Sequence, residues 1–325
     1  MKKLMVIPLV AAGMAAMVGC SKTPVKEAAK NDAINLANLD TAVAPGTDFY
    51  QYACGGWMKN NPLKPEYARF GTFDQLRDNN QEQIRTLIEG LSETPGQEGS
   101  VGQKIGMLFA MGMDSVKLNE DGYAPIKDQL AEINKLGTKD ELTKMVATLH
   151  KEGMAPFFAL YVGADEKNSS MNIVQLYQAG LGMGDRDYYL LEDESSPKMR
   201  EAYKNYITRL FTLIGSSPEQ ADAAVNAIMK IERGIAEVSF SREDLRDSQK
   251  NYNKMSIEDF KAKNDLLNWD VYFESMGMMD IKYLDAKQLS FYEGLSALMK
   301  NTTLDEQKYY LTFNLLSSAA PYLSD

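Results

Sequence analysis

Residues 217–238 read SPEQADAAVNAIMKIERGIAEV and carry a strong helix signal. They begin with a serine that can cap a helix, a proline at the first helical position, and a glutamine that can reach back to the cap. Apolar residues then recur every three or four positions, which is the spacing of one buried helix face. These apolar positions are Val225, Ile228, Ile231, Ile235 and Val238. The stretch therefore predicts a long amphipathic helix.

Similar helix signals occur on both sides of this stretch. Thr72 and Thr138 each stand three residues before a glutamine or a glutamate, which is the spacing of a capping box. After Thr138, apolar residues at helical intervals continue until Gly153. Further helices are predicted over residues 197–214 and after Ser256 and Thr303.

One region departs from the helical pattern. Residues 157–162 and 171–177 are short apolar runs, separated by the polar residues 163–170. Two such runs joined by a polar segment predict a β-hairpin with a rather long loop. The sequence therefore predicts a mainly α fold with a small β-hairpin element.

The N-terminus carries an export signal. Residues 1–3 are positively charged, residues 4–18 are uncharged and almost wholly apolar, and Gly19 is small. This order predicts a cleaved signal peptide over residues 1–19. The sequence MVGC at residues 17–20 resembles the lipobox of bacterial lipoproteins, which implies that Cys20 becomes the first mature residue and is lipidated. An ordinary cleaved signal with an incidental cysteine is the alternative.

Residues 20–45 are rich in alanine, lysine, asparagine and aspartate and lack a sustained apolar period. They predict a flexible tether between the lipid and a folded body. Together these features predict an exported protein that is lipid-anchored in the bacterial cell envelope, on the periplasmic side or at the cell surface.

Charge and cysteine content narrow the possible partners. The formal net charge is −10 at pH 7, so the surface repels phosphate backbones and a nucleic-acid partner is not expected. Besides Cys20 the only cysteine is Cys54, so no intramolecular disulfide is expected.

The sequence offers no metal site and no catalytic group of its own. His150 is the single histidine, and the zinc-binding pattern His-Glu-x-x-His is absent. We expect His150 to lie near the C-terminus of its helix, where the helix dipole mildly favours a charged imidazole ring. The glycines of residues 180–184 predict a tight backbone turn rather than a phosphate loop. No catalytic residue and no metal ligand can therefore be nominated.

Several motifs together resemble one family, the neprilysin family of zinc endopeptidases. They are PGTDFYQYACGGW at residues 45–57, RFGTFDQLR at residues 69–77 and GLGMGDRDYYL at residues 180–190. In the last motif, Gly184 stands where the family usually has proline. Residues 251–255 and 320–323 also fit the family pattern. The first two motifs are specific when they occur together.

The resemblance implies a two-lobed peptidase in which a helical lobe caps a zinc-bearing lobe around a closed chamber. In that family the zinc ligands lie in the second half of the chain. The resemblance therefore implies that residues 46–325 form an incomplete N-terminal peptidase region without the catalytic lobe. Zinc is expected in the full-length parent, and this chain alone is expected to be inactive. Residues 311–323 still show an apolar helical pattern, and we therefore expect the natural domain to be longer.

Two arginines can be carried over from the family pattern. Arg69 and Arg77 would contact the peptide substrate, including its C-terminal carboxylate. A guanidinium group suits that role because it binds a carboxylate through two parallel hydrogen bonds. The alternative is that Arg77 pairs with Asp74 and Arg85 with Glu82 on a solvated helix face.

A second hypothesis belongs to another functional class. A non-catalytic, helix-rich envelope lipoprotein that binds peptides or glycans would suit the lipobox, the tether and the helical body equally well. An exposed row of aromatic side chains would favour this hypothesis, whereas a large bare apolar face would count against it.

Overall fold

The structure is a computed structural model that describes residues 34–64, 67 and 69–324. The chain divides into two compact units, residues 1–90 and residues 91–325. The predicted signal peptide, the predicted lipid-attachment residue Cys20 and residues 21–33 of the predicted tether lie outside the described residues.

The first unit contains a short 3₁₀ turn, Leu36–Asn38, and two helices, α1 (Phe49–Asn60) and α2 (Thr72–Glu93), of which α2 runs on into the second unit. Two adjacent glycines let the chain before α1 lie directly on this helix. A Cβ atom on Gly56 would be 2.4 Å from the carbonyl oxygen of Ala37, and one on Gly55 would be 2.7 Å from Asp40 Cβ. The N–H of Asp40 donates to the carbonyl of Tyr52. Residues 36–40, within the segment predicted as a tether, are therefore packed on α1.

The N-terminus of α2 differs from the sequence prediction. The capping box predicted at Thr72 is wrong, because Thr72 is the first helical residue. Instead, the residue before Thr72 makes the capping bond: the N–H of Gly71 donates to Asp74 Oδ2 at 2.9 Å. A carboxylate in the first turn also interacts favourably with the helix dipole.

The second unit is mainly helical, which confirms the predicted fold class. Most of its helices and a small sheet contribute side chains to one large apolar core. The helices are α3 (Val101–Gly112), α4 (Ser115–Asp121), α5 (Lys127–Lys135), α6 (Lys139–Lys151), α7 (Asp187–Leu190), α8 (Ser196–Leu213), α9 (Pro218–Val238), α10 (Ile257–Lys263), α11 (Trp269–Ser275), α12 (Leu289–Lys300) and α13 (Leu304–Ala319).

Helix α9 lies at the centre of this unit and packs against α8, α12 and α13. The capping box predicted from Ser217 and Gln220 is formed, as are those at Thr138 and Thr303. The buried face of α9 includes Ile228, Ile231 and Ile235, as predicted. It also includes a glutamate, Glu232, which is only 1% exposed.

The β element is larger than predicted. The hairpin consists of β1 (Phe158–Asp165) and β2 (Asn168–Gln178), so most of the predicted loop is strand, and the register shifts at Ala164 and Asp165. Two short strands, β3 (Lys254–Ser256) and β4 (Tyr283–Ala286), complete a mixed sheet of order β1-β2-β4-β3. β4 is parallel to β2 and antiparallel to β3.

Within the residues that the structure describes, no helix combines the length and the apolar character that crossing a membrane requires.

Candidate functional site

Arg77 lies in the second turn of α2 and is held by two carboxylates. Its guanidinium group is 3.1 Å from Asp74 and 3.8 Å from Asp78. The ring centroid of Tyr67 is 5.7 Å from the guanidinium carbon, and the Tyr67 hydroxyl donates to Asp78 at 2.8 Å. Hydrogen bonding to Tyr67, followed by the charge of Asp74, raises the pKa of Arg77. The side chain is 51% exposed, so it is oriented by its neighbours but accessible from solvent.

Arg69 lies in the segment just before α2 and is exposed. The next residue, Phe70, anchors this segment, because its ring stacks on that of Trp57 with 6.0 Å between the centroids. Trp57 in turn donates through its indole nitrogen to Gln75 of α2 at 3.5 Å. Among the described residues Arg69 has no ion-pair partner. It thus presents a guanidinium group on an anchored backbone.

The alternative pairing of these arginines is also present. Arg77 pairs with Asp74, and Arg85 lies 3.6 Å from Glu82 and 3.4 Å from Glu89. Exposed pairs of this kind contribute little to stability and do not exclude a role in binding. The substrate role of Arg69 and Arg77 stays a prediction.

His150 is a structural residue of the second unit. Its Nε2 lies 3.1 Å from the carbonyl oxygen of Pro156 and its Nδ1 lies 2.6 Å from the hydroxyl of Tyr272. A carbonyl only accepts, so Nε2 carries the hydrogen and Nδ1 accepts from the tyrosine. Burial lowers the pKa of His150 to about 4. The ring is therefore neutral at pH 7, and the expected preference for a charged ring is wrong because burial outweighs the helix dipole.

The described residues do not fit a zinc ion. Zinc needs three or four nitrogen, sulfur or oxygen ligands converging on one point. Both nitrogens of His150 are engaged with other groups. In the part of the chain that the structure describes, no three histidine, cysteine, aspartate or glutamate side chains are grouped so that they could hold a metal ion.

The glycine-rich motif forms a turn, as the sequence predicted. Gly180 and Gly184 have positive φ angles of 96° and 79°, a conformation that other residues rarely adopt. A Cβ atom on Gly182 would be 1.8 Å from the Tyr203 hydroxyl, so only glycine fits there. The short helix α7 follows this turn.

A buried acid lies beneath this turn and was not singled out in the sequence. Glu232 Oε2 accepts from the hydroxyls of Tyr189 at 2.6 Å and Tyr203 at 2.8 Å. The backbone N–H of Gly182 also donates to the carboxyl group. Burial raises the pKa of Glu232 to about 7, against the lowering effect of these hydrogen bonds. Burial therefore keeps the acid protonated at pH values at which an exposed glutamate is fully ionised.

Glu232 forms part of the wall of a cavity of about 550 Å³. The cavity lies between the end of β2, the glycine turn, α9 and α13. Its wall includes the backbone of Gly180 and Gly182 and the side chains of Phe313 and Asn314. The sequence held one signal for this site, because Glu232 occupies a position on the apolar face of α9.

Comparison with known proteins places residues 45–325 in one family. Residues 45–325 match the sequence profile of the N-terminal domain of peptidase family M13. The chain is 29% identical over 348 residues to endothelin-converting enzyme 1 of Mus musculus, covering 99% of this chain and 44% of the mouse protein. It is 27% identical over 308 residues to the endothelin-converting enzyme homolog of Locusta migratoria, covering 89% of this chain and 42% of the locust protein.

Solved structures show the same fold. The zinc metalloprotease Zmp1 of Mycobacterium tuberculosis, in complex with an inhibitor, superposes with a TM-score of 0.79 at 24% identity over 90% of this chain and 44% of that one. PepO of Lactobacillus rhamnosis superposes with a TM-score of 0.69 at 20% identity, covering 87% of this chain and 45% of that one. The predicted mainly α lobe is therefore confirmed.

The chain spans less than half the length of the relatives just described. The match of residues 45–325 nevertheless covers most of its own length and confirms the resemblance drawn from the motifs. This chain belongs to peptidase family M13, the neprilysin family, and corresponds to the N-terminal portion of its members.

Proposed function

We propose that this chain is the N-terminal, chamber-forming part of a secreted zinc metalloendopeptidase that cleaves small peptides. The supporting observation is the family match over residues 45–325, in a chain that covers 44% of the mouse relative. The zinc ion and the catalytic groups belong to the remaining part of such a parent protein. Without that part, the isolated chain is inactive as a peptidase.

Arg69 and Arg77 contact the C-terminal carboxylate of the peptide. Arg77 is held in place by Asp74 and Asp78, which lowers the entropy lost when it binds a ligand. Arg69 is exposed and has no ion-pair partner among the described residues, so a carboxylate can reach its guanidinium group from solvent. One arginine thus offers an oriented charge and the other an exposed one.

The experiment compares single variants in a version of the protein that contains both halves. Arg69→Ala and Arg77→Ala should each lower kcat/KM about tenfold for peptides with a free carboxyl end, because each removes a charge-assisted contact. The same variants should change kcat/KM little for amidated peptides. Arg85→Ala is the matched control, since Arg85 lies on the same helix and pairs with Glu82 and Glu89. Unchanged kcat/KM for both variants would rule out the proposed contact.

The apolar surface of α3 and α4 supports a second lobe as the partner of this chain. Leu108, Met111 and Val116 are 72%, 68% and 69% exposed. Neighbouring apolar side chains that are exposed to this extent are typical of a surface that another part of the protein covers. The segment of the parent that corresponds to the uncovered length of the relatives is the proposed occupant.

The parent is exported and held on the membrane by lipid on Cys20. The supporting observation is the sequence of residues 1–20, in which an apolar signal ends at the MVGC motif. Mass spectrometry of the N-terminal peptide from membranes should find an acylated Cys20, and Cys20→Ser should release the protein from the membrane fraction. An unmodified Cys20 would refute this part of the proposal.

No observation on the described residues favours the alternative of a non-catalytic lipoprotein that binds peptides or glycans. The bare apolar residues of α3 and α4 count against it, since a self-sufficient binding module would cover them.

A further inference from the structure

Glu232 is a buried acid without a cation to balance it. The basic residues nearest to it along α9 are engaged elsewhere: Lys230 binds Glu306 at 2.7 Å and Arg233 lies 3.2 Å from Glu237. The groups that face Glu232 from α7, α8 and α13 are the hydroxyls of tyrosines. No ion pair to Glu232 exists among the described residues. A buried carboxylate in this situation is unstable unless a proton or a cation neutralises it.

Three tyrosines surround the acid, and none of them can supply a cation. Burial raises the pKa of Tyr189 and of Tyr203, and the charge of Glu232 raises both further. Burial and the charge of Glu232 also raise the pKa of Tyr310. All three hydroxyls therefore stay neutral at physiological pH and act only as hydrogen-bond donors or acceptors.

The cavity beside Glu232 has the size and lining of a small-ligand site. Its volume of about 550 Å³ lies within the range of ligand pockets, which is roughly 300–1,000 Å³. None of the described residues that line it is basic, and Glu232 is the only carboxylate among them. Phe313 and Leu181 give it apolar surface, whereas Asn314 and Ser318 give it polar groups. The lining thus suits a ligand with a short aliphatic part and a positive end.

The wall of the cavity is fixed by buried hydrogen bonds. The hydroxyl of Tyr310 donates to the carbonyl of Gly180 at 2.8 Å and accepts from the N–H of Phe157 at 3.1 Å. The N–H of Met183 donates to the hydroxyl of Tyr189 at 2.9 Å, and that hydroxyl in turn donates to Glu232. The same acid that lacks a cation therefore also holds the glycine turn. A preformed wall of this kind lowers the entropy lost on binding.

From these observations we infer that the cavity binds a primary ammonium group, which supplies the cation that Glu232 lacks. The ligand class is a short peptide, and the ammonium group is either a lysine side chain or a free N-terminus. The inference does not depend on the proposed peptidase activity of the parent protein.

Binding should be measured by isothermal titration calorimetry on the purified chain at pH 7, where both a lysine side chain and most N-terminal amines are protonated, with three tripeptides. Acetyl-Ala-Lys-Ala-amide carries a cation only on its side chain, Ala-Leu-Ala-amide only at its N-terminus, and acetyl-Ala-Leu-Ala-amide carries none. We expect at least one cationic peptide to bind about tenfold or more tightly than the neutral one. The peptide that binds more tightly identifies the source of the ammonium group. Equal affinities for all three, or no binding by any, would overturn the inference.

Two variants locate the binding. Glu232→Gln keeps the size of the side chain but cannot become an anion, so the preference for the cationic peptide should disappear. Ser318 lies on the exposed rim, so Ser318→Phe should fill the cavity without disturbing the core, and it should weaken binding of the cationic peptide. A preference that persists in Glu232→Gln, or full binding by Ser318→Phe, contradicts the assignment. Since Ser318→Phe leaves Glu232 untouched, it also tests the site if Glu232→Gln fails to fold.

Proton release provides a readout that a purely structural glutamate would not change. If the ammonium group displaces the proton of Glu232, binding of the lysine peptide at pH 6 should release close to one proton, and at pH 8 only about one tenth of a proton. Titrations in two buffers of different ionisation enthalpy give these numbers. Equal proton release at the two pH values would overturn the inference.

Discussion

Replacing His150 by glutamine should create a pH dependence of stability that the unmodified protein lacks. His150 is neutral in the folded protein because burial lowers its pKa from 6.5 to about 4. Between these two values the unfolded chain binds a proton that the folded protein does not bind. The free energy of unfolding contributed by His150 therefore falls as the pH drops from 7 to 5.

Glu232 contributes the opposite slope. Burial raises its pKa from 4.5 to about 7, so the folded protein holds a proton that the unfolded chain has lost. Its contribution to the free energy of unfolding therefore falls as the pH rises from 5 to 7. These pKa values correspond to a change of about 2 kcal/mol in the free energy of unfolding for each residue between pH 5 and pH 7, in opposite directions. In the unmodified protein the two changes nearly cancel.

The assay is urea unfolding at pH 5 and pH 7, followed by the fluorescence of Trp269 in the core of the second unit. A Trp57→Phe background removes the other tryptophan, which lies in the first unit. From pH 5 to pH 7, the free energy of unfolding of His150→Gln should fall by about 2 kcal/mol, and that of Glu232→Gln should rise by about 2 kcal/mol. The background protein and the double variant should change little.

The two acids whose pKa values are lowered to about 2 do not titrate between pH 5 and pH 7. Hydrogen bonds from Lys254 to Asp165 and from the backbone of Ser196 to Asp193 lower the pKa of each of these carboxylates to about 2. Both titrate well below pH 5. If both single variants were as insensitive to pH as their background, the assignment of a neutral His150 and a protonated Glu232 would be refuted.

Three further predictions concern other parts of the chain. Gly56→Ala should detach residues 36–40 from α1, because its Cβ would lie 2.4 Å from the Ala37 carbonyl oxygen. Limited proteolysis should then cut within residues 36–40, and an unchanged cleavage pattern would contradict the packing. Asp74→Ala should destabilise the first unit by about 1 kcal/mol, because it removes the hydrogen bond from the N–H of Gly71 that caps α2. Unchanged urea unfolding, followed by tryptophan fluorescence, would refute this capping role. The side chain of Leu108 is 72% exposed. Leu108→Glu should therefore leave the melting temperature unchanged but reduce self-association measured by light scattering. A large loss of stability would show that the residue is buried.

The features that the sequence predicted well are local ones. The capping boxes at Thr138 and Ser217 form as predicted, because both partners lie within one helical turn, and the helix predicted after Thr303 begins with a capping box as well. The box at Thr72 failed for a local reason as well. Asp74, placed one residue before Gln75, reaches the N–H of Gly71, and the helix therefore begins one residue earlier than the box requires.

The β structure shows where local patterns stop being informative. β3 consists of three residues and β4 of four, and neither is stable without a partner distant in the sequence. The hairpin loop was predicted to be too long because residues 163–170 are mostly polar. In the structure most of them continue the strands β1 and β2.

The candidate sites were predictable to different degrees. Arg69 and Arg77 came from the family motif, and the local geometry at Arg77 includes both an oriented guanidinium group and the ion pair that was its alternative. Glu232 was missed because its partners, Tyr189 and Tyr203, lie 43 and 29 residues away in the sequence. An acid on an otherwise apolar helix face was the only local signal.

We propose that this N-terminal portion contributes substrate-binding surface to the parent protein but no zinc chemistry. The most direct test is to purify the 325-residue chain in the presence of zinc, and then to measure the metal content and the cleavage of short peptides with and without a chelator. We expect far less than one zinc ion per chain and no chelator-sensitive cleavage. One tightly bound zinc ion per chain, together with cleavage that a chelator abolishes, would contradict it.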